Sequence, residues 1–235
     1  MSAWKAKRFW KDATADSCDG GFTVRLDGRA VKTPAKTLLV VPTLALAQAI
    51  AAEWDAQQGL VKPDTMPHTR TANSALDKVA TQFAQVAENM ALYGGTDLLC
   101  YRATGPQELI DRQQAQWGPL LDWCSTDLGA PLIATAGVMH IEQPDASLGQ
   151  LSALVHGWTP FQLAAAHDLI AISGSLVLAL AVTKGRLTPD QAWALSRIDE
   201  SWTDEQWGVD DDAAHLESLK RAAFTHAARF FALCG

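Results

Sequence analysis

Residues 159–185 read TPFQLAAAHDLIAISGSLVLALAVTKG. Thr159-Pro160 is a helix start, with a capping hydroxyl followed by a proline that suits the first helical position. From Leu169 to Thr183 the run carries no charge; His167 and Asp168 close it on one side and Lys184 on the other. It is shorter than the ~20 residues a membrane-spanning helix needs. The stretch therefore reads as one buried core helix of a globular domain, ended by Gly185, with Ser173-Gly174-Ser175 inside it as small residues for close helix packing.

Outward from that helix the pattern stays helical. Thr188-Pro-Asp-Gln191 is a capping box that launches a helix through Ser196 and Glu200 toward Trp207, and a last helix is expected from Asp211 to Leu233. On the other side, helices are expected over residues 72–93, stopping at Gly94-Gly95, and over 145–156, stopping at Gly157. Another should begin at Thr104-Gly-Pro-Gln107, with Thr104 as cap, Pro106 as first helical residue and Gln107 as its capping-box partner. It runs to Gly129 with a kink at Pro119. Ile133–Ile141 suggests a short hairpin.

The first 41 residues differ. Phe22–Leu26 alternates apolar and polar, Asp27-Gly28 is a strong two-residue hairpin turn, Ala30–Thr33 resumes an extended pattern, and Thr37–Val41 forms a further strand. Thr43 then caps a helix with Leu44, Ala47, Ile50, Ala51 and Trp54 at helical spacing, ended by Gly59. Leu60–Thr69, with Pro63 and Pro67, is expected to be extended or looped. The fold class is α+β: a small β-rich N-terminal domain with one helix (1–69), then a larger, all-helical C-terminal domain (70–235).

Composition narrows the function. The 235 residues are 48% hydrophobic and 19% charged, which is globular, and the formal net charge of −7 argues against a duplex nucleic-acid binder. Cys18, Cys100, Cys124 and Cys234 form no C-x-x-C pair and read as reduced thiols of a cytoplasmic protein. The basic start MSAWKAKRFW has no apolar run behind it, so neither a secretion nor an import signal is read there. No phosphate loop, dinucleotide fingerprint, nucleophile elbow or paired-histidine metal motif occurs. No catalytic residue, cofactor site or metal site is therefore assigned. His167-Asp168 is the one polar pair in an apolar context, and it reads as a buried structural pair ahead of an acid–base couple.

Charge is unevenly placed. Residues 1–36 hold eight Lys/Arg against four Asp, whereas 199–217 hold Asp199, Glu200, Asp204, Glu205, Asp210, Asp211, Asp212 and Glu217 with no Lys or Arg. Two readings stand level: solvated faces, with the acids at 210–212 suiting the positive end of the last helix, or an acidic surface set with Trp202 and Trp207 that docks a partner.

The motifs themselves resemble a family. Lys7-Arg8-Phe9-Trp10, Leu26-Asp-Gly-Arg29 with Thr33-Pro34, and Ala52-Glu-Trp-Asp55 with Gln58 carry the first part. Met66-Pro-His-Thr69 with Asn73 and Asp77, and Thr96-Asp-Leu-Leu-Cys-Tyr-Arg102, extend it. Gln114-x-x-Trp117 with Pro119 and Trp123, then Ser196-Arg-Ile-Asp-Glu200 before Trp207-Gly208, complete it. In order and spacing the chain resembles the assembly chaperones of F-type ATP synthase that handle the α subunit of the catalytic sector. The resemblance implies a non-enzymatic, ATP-independent binding protein that holds free α until β takes its place, with no nucleic acid, membrane insertion or small-molecule substrate. It implies partner contact at Glu200, with Asp199 beside it, and with Trp207, Asp210 and Asp211 nearby. Trp54, in the Glu-Trp-Asp motif, reads as a core anchor of the N-terminal domain ahead of a contact residue. The chain departs from the family at Gly174, where a Lys is common, and at Thr203, where a Gln is usual. The alternatives are an enzyme using Asp97, Asp168 or Glu200, and an adaptor with another client.

Overall fold

The computed structural model describes residues 7–235 and divides into two compact units. The first takes the chain up to Phe83 together with Thr159–Ala165 and Arg229–Gly235; the second takes Ala84–Trp158 and Ala166–Ala228. The architecture is α+β, as the patterning implies. The expected boundary at residue 69 instead falls within a helix of the first unit. Its core also draws on Ala165, Phe230 and Cys234 from distant segments, which local composition does not reveal.

In the first unit, β1 (Ala13–Cys18) pairs antiparallel with β2 (Gly21–Leu26), which also pairs with β3 (Arg29–Ala30) and β4 (Val40–Val41). The β2–β3 turn places Asp27 at φ 46° and Gly28 at φ 78°, both positive as a type I′ turn requires. The Asp27 carboxylate accepts from the Lys11 and Asp12 amides, which pins the strand before the hairpin. The meander thus begins one strand earlier than expected. Helix α1 (Leu44–Asp55) is capped by Thr43 as expected, its Oγ1 accepting from Leu46 N at 3.1 Å. Leu46, Ala47, Ile50, Ala51 and Trp54 face a core shared with Trp10, Val24, Leu26, Leu39 and Phe230. Trp54 meets Trp10 edge-on at 5.2 Å.

The segment expected to be looped contains a 3-10 turn at Pro63–Thr65 and then the start of α2 (Pro67–Ser74). Proline at the first helical position costs no hydrogen bond, and the cap comes from elsewhere. Glu53 of α1 accepts from the His68 amide (2.6 Å), His68 Nδ1 (2.8 Å), the Thr69 amide (2.8 Å) and Thr69 Oγ1 (2.7 Å). Burial alone would raise the Glu53 pKa; these bonds outweigh it and hold it below the usual carboxylate range. Downstream, the helical path passes through a π turn (Ala75–Val79) and a 3-10 turn (Ala80–Gln82) into α3 (Phe83–Ala91), then a 3-10 stretch, Leu92–Thr96.

In the second unit, α4 (Gln107–Asp127) follows a cis Gly105–Pro106 bond. The expected Thr104 capping box does not form: Pro106 stands at the cap and the Gln107 amide donates to Asp111. The helix runs unbroken through Pro119. The domain is not all helical, because β5 (Tyr101–Arg102) pairs in parallel with β6 (Thr135–Ala136), replacing the hairpin expected at 133–141. A two-residue ladder formed with a strand some thirty positions away leaves no local pattern to read. Helix α5 (Asp145–His156) matches expectation.

The apolar run is two helices, α6 (Pro160–Ser173) and α7 (Leu176–Thr183). Gly174 adopts φ 69° and Ser175 caps α7, its Oγ accepting from Leu178 N at 3.0 Å. Ser175 Oγ in turn donates to the buried Asp97 carboxylate at 2.7 Å, which also accepts from Val177 N and Leu99 N. A similar break at Arg197 divides α8 (Pro189–Ser196), whose Thr188–Gln191 capping box forms as expected, from α9 (Ile198–Trp207). The last helix, α10, spans Asp211–Leu233. Among the described residues no helix is long and apolar enough to cross a membrane.

Two stability predictions follow from these carboxylates. Replacing Glu53 by Gln should lower the unfolding free energy by about 1–3 kcal/mol in denaturant titrations, since a hydrogen-bonded, half-buried charge is lost. Because the folded-state pKa of Glu53 is depressed, its contribution is present at neutral pH and fades as pH falls through the carboxylate range, a fade the variant should lack. Asp97 titrates the other way. Burial raises it to about 6, against the opposing pull of its hydrogen bonds, from an ordinary value of 3.8. Stability tied to it is therefore full below the lower value and lost as pH rises through about 6. The parent's advantage over Asp97→Asn should shrink by roughly 3 kcal/mol between acid and neutral pH; a difference independent of pH would contradict the assignment.

Candidate functional site

The acid-rich segment folds as α9, a short turn and the start of α10, all within the second unit. Gly208, at φ 87°, turns the chain between the two helices, a conformation open to glycine at little cost. Asp210 caps α10: its Oδ1 accepts from Ala213 N at 2.8 Å. Asp211 follows in the first turn, where a negative charge meets unpaired amides. From Asp211 to Ala222, about three turns, α10 is solvent-exposed except at half-buried Glu217; burial resumes at Phe224, which packs on Trp193.

Each sequence-predicted site residue has a distinct place. Glu200 is half exposed and pairs with Arg197 Nη1 at 2.8 Å. Arg197 is held in turn by the Ile172 carbonyl (3.3 Å), Ser196 Oγ (3.3 Å) and the Trp193 ring (5.2 Å). Asp199 points the other way, accepting from Gln113 Nε2 at 2.6 Å, while Gln113 Oε1 accepts from the Ala103 amide. That carboxylate fastens α9 to α4. Trp207 is 86% exposed at the end of α9, with Val209 63% exposed beside it. Glu200, Trp207, Asp210 and Asp211 thus lie on outward-facing chain, and Asp199 is committed to packing.

Two further residues stiffen α9. Arg112 reaches Glu205 through two 2.8 Å bonds and lies 4.9 Å over the Trp202 ring. The Arg112 hydrogen bond holds the Glu205 carboxyl below its usual range. Trp202 is therefore partly covered, and Trp207 is the exposed aromatic of the pair.

An open groove of about 340 Å³ runs along α9 and α10, lined by Arg197, Glu200, Thr203 and Asp204 on one wall and by Val209, Ala213, Ala214, Leu216, Glu217 and Lys220 on the other. Sequence reasoning missed the second wall. Its signal was present, since Val209, Ala213, Leu216 and Lys220 recur at helical spacing through a segment dominated by its acids.

Of the residues of the enzyme alternative, Glu200 lines this groove, while Asp97 and Asp168 stand apart from it. Asp97 is fully buried, with donors from Ser175, Val177 and Leu99 around it and no cleft at its carboxylate. His167 and Asp168 do pair, Nδ1 to Oδ1 at 3.0 Å, but both are about half exposed, which corrects the expectation of a buried pair. The bond to Asp168 raises the His167 pKa. Cys100, Cys124 and Cys234 are buried thiols pushed up to about 12 by burial and stay protonated at neutral pH. Among the described residues no group of three or more His, Cys, Asp or Glu is placed to hold a metal ion.

Comparison with known proteins agrees with the motifs. The family model described as ATP12 chaperone protein matches residues 7–125, half of the chain. The crystal structure of Atp12 from Paracoccus denitrificans superposes with a TM-score of 0.96 at 47% identity, over 99% of this chain and all of that one. A crystal structure from Agrobacterium tumefaciens gives 0.90 at 43% identity, covering 96% of this chain and 84% of the other. Protein atp12, mitochondrial, of Schizosaccharomyces pombe is 26% identical over 226 residues, 90% of this chain and 77% of the yeast protein. With a matching family model, near-complete structural overlap and a shared motif order, the chain belongs to the ATP12 chaperone family.

Proposed function

We propose that this chain is an ATP-independent assembly chaperone of the F-type ATP synthase, binding the free α subunit of the catalytic sector until β displaces it. The observation that carries the reading is the exposed, acid-rimmed apolar surface of α9 and α10, with Trp207 86% exposed and Val209, Leu216 and Leu219 each more than half exposed. Contiguous apolar surface rimmed by charge is characteristic of a protein-binding face. An unassembled subunit exposes an apolar interface that aggregates unless covered. Covering it needs no enzymatic step. A chaperone that binds the free subunit, yet more weakly than the larger native interface does, is released by competition alone.

Glu200 is the residue we assign to the client. Its partner Arg197 is already anchored by three other contacts, so the outward half of the Glu200 carboxylate is available for a cation on the client. The enzyme alternative finds no support at Asp97 or at the His167–Asp168 pair. An adaptor with another client shares the same surface and is separated only by the client's identity.

Co-expression with the α subunit of the same organism, followed by size-exclusion chromatography, should give a one-to-one complex that dissociates when β is added. Glu200→Lys should weaken capture of α by about tenfold or more, as loss of a desolvated charge pair does. Its thermal midpoint should move little, because Glu200 is half exposed and Arg197 keeps its contacts with Ile172, Ser196 and the Trp193 ring. If α remains insoluble, or elutes alone beside folded chaperone, the client assignment fails.

A further inference from the structure

We infer that the groove between α9 and α10 takes an α-helical segment of the client whose apolar stripe is flanked by Lys and Arg; this rests on the client-binding reading above and specifies what that surface recognises. The first argument is backbone chemistry. The walls are mainly helix, whose interior amides and carbonyls are consumed internally, so the groove offers no strand edge to an extended peptide. A segment buried there must satisfy its own backbone hydrogen bonds, and a helix does so.

The second argument is shape. Ala213 and Ala214 leave one wall without bulk, which allows a helix to approach closely, while Val209 and Leu216 supply apolar contact at either side of them. The exposed start of α10 is about three turns long, a length that matches three or four apolar positions at i, i+3, i+4 and i+7 of an incoming helix.

Charge complementarity is the third. Glu200, Asp204 and Glu217 line the groove, and Asp210, Asp211 and Asp212 continue the negative charge around the turn. Of the two lining cations, Arg197 is paired with Glu200; Lys220 stands where α10 turns toward its buried half, beside Arg221, which pairs with Asp190 at 2.9 Å. The lining thus carries three carboxylates against two cations, and with Asp210, Asp211 and Asp212 in the adjoining turn the charge of this surface is net negative. It favours basic flanks on the occupant and disfavours an acidic helix or an anionic membrane surface.

The test uses the full-length chain and a designed probe, a peptide of roughly 18 residues with Leu at i, i+3, i+4 and i+7 and Lys on both flanks of that stripe. The controls are a scrambled peptide of the same composition and a peptide with Glu in place of Lys. The Lys-flanked helix should shift the amide resonances of Thr203, Val209, Ala213 and Ala214, and should bind about tenfold more tightly than either control. Affinity should fall as salt rises from about 50 to about 300 mM. Ala214→Trp fills the groove at an exposed position and should abolish these shifts while leaving the thermal midpoint in place. Equally tight binding of the scrambled or of the Glu-flanked peptide, or shifts that survive Ala214→Trp, would each overturn the inference. The α-capture assay run in parallel separates the two levels. If the parent captures α and Ala214→Trp does so equally well, the groove assignment falls and the chaperone reading stands. If the parent captures no α, the chaperone reading itself falls.

Discussion

A single buried carboxylate, Asp97, governs how the second unit is laid out. Its oxygens accept from Leu99 N, capping the 3-10 turn Leu98–Cys100, and from Ser175 Oγ and Val177 N at the start of α7. One side chain thereby satisfies the orphan amides of two helix starts far apart in sequence. The Leu98 amide adds a bond to the Gly174 carbonyl across the same junction. Helix α7 is buried along Leu176–Ala181 and its amino end has no water to turn to. Without the carboxylate, several donors would be left unpaired in the interior, each costing about 1–3 kcal/mol. That is why the run 159–185 breaks where it does: Gly174 supplies the left-handed turn, Ser175 the cap, and Asp97 the charge that accepts from Ser175 Oγ and Val177 N.

Glu53 performs the same task in the first unit, capping α2 from α1. The parallel explains why the family is legible in the sequence at all. Of the motifs carrying the resemblance, Glu53 belongs with His68 and Thr69, Arg8 with Asp55 and the Gln57 carbonyl, and Thr33 with Asp77 through a 2.6 Å bond. Arg102 lies over the Trp117 ring and donates to the Gln113 carbonyl, while Gln113 meets Asp199. These are polar contacts between specific partners, with little tolerance for substitution. Apolar core positions, by contrast, accept many residues of similar volume. Polar pairs of this kind tie residue identities to the fold, and the motif residues paired here serve folding.

What was legible follows from range. Local chemistry was read correctly where it closes within a few residues, as in the Asp27-Gly28 turn, the Thr43 cap, the Thr188–Gln191 box and the ends of α5 and α10. It failed where a distant group decides. Periodicity cannot show Asp97 breaking the apolar run, Glu53 starting a helix at Pro67, or Ala165 and Phe230 completing the first unit's core. Strand β1 was missed for another reason: its residues are small and polar, although Asp19-Gly20 carried a turn signal equal to the one at Asp27-Gly28. Within the candidate site, Glu200 stands out through the family resemblance, and Trp207 as an aromatic set in an acidic stretch. That Asp199 faces inward was not legible, because two adjacent acids look alike until Gln113 is placed beside one of them.

The scaffold and the surface therefore obey opposite demands. The buried carboxylates are fully engaged, and their partners come from within the protein. Along α9 and α10 the acids are mostly exposed, the alanines are uncovered, and three turns of helix face water. An assembly chaperone needs that contrast. A client-binding face that satisfied its own groups would bind nothing, and one that buried as much area as the native subunit interface would never release its client. On the proposed reading, an exposed groove with modest apolar area and a charged rim would lie between these limits: charge would speed encounter and select the partner, while the small contact area would keep the complex weaker than the assembled enzyme.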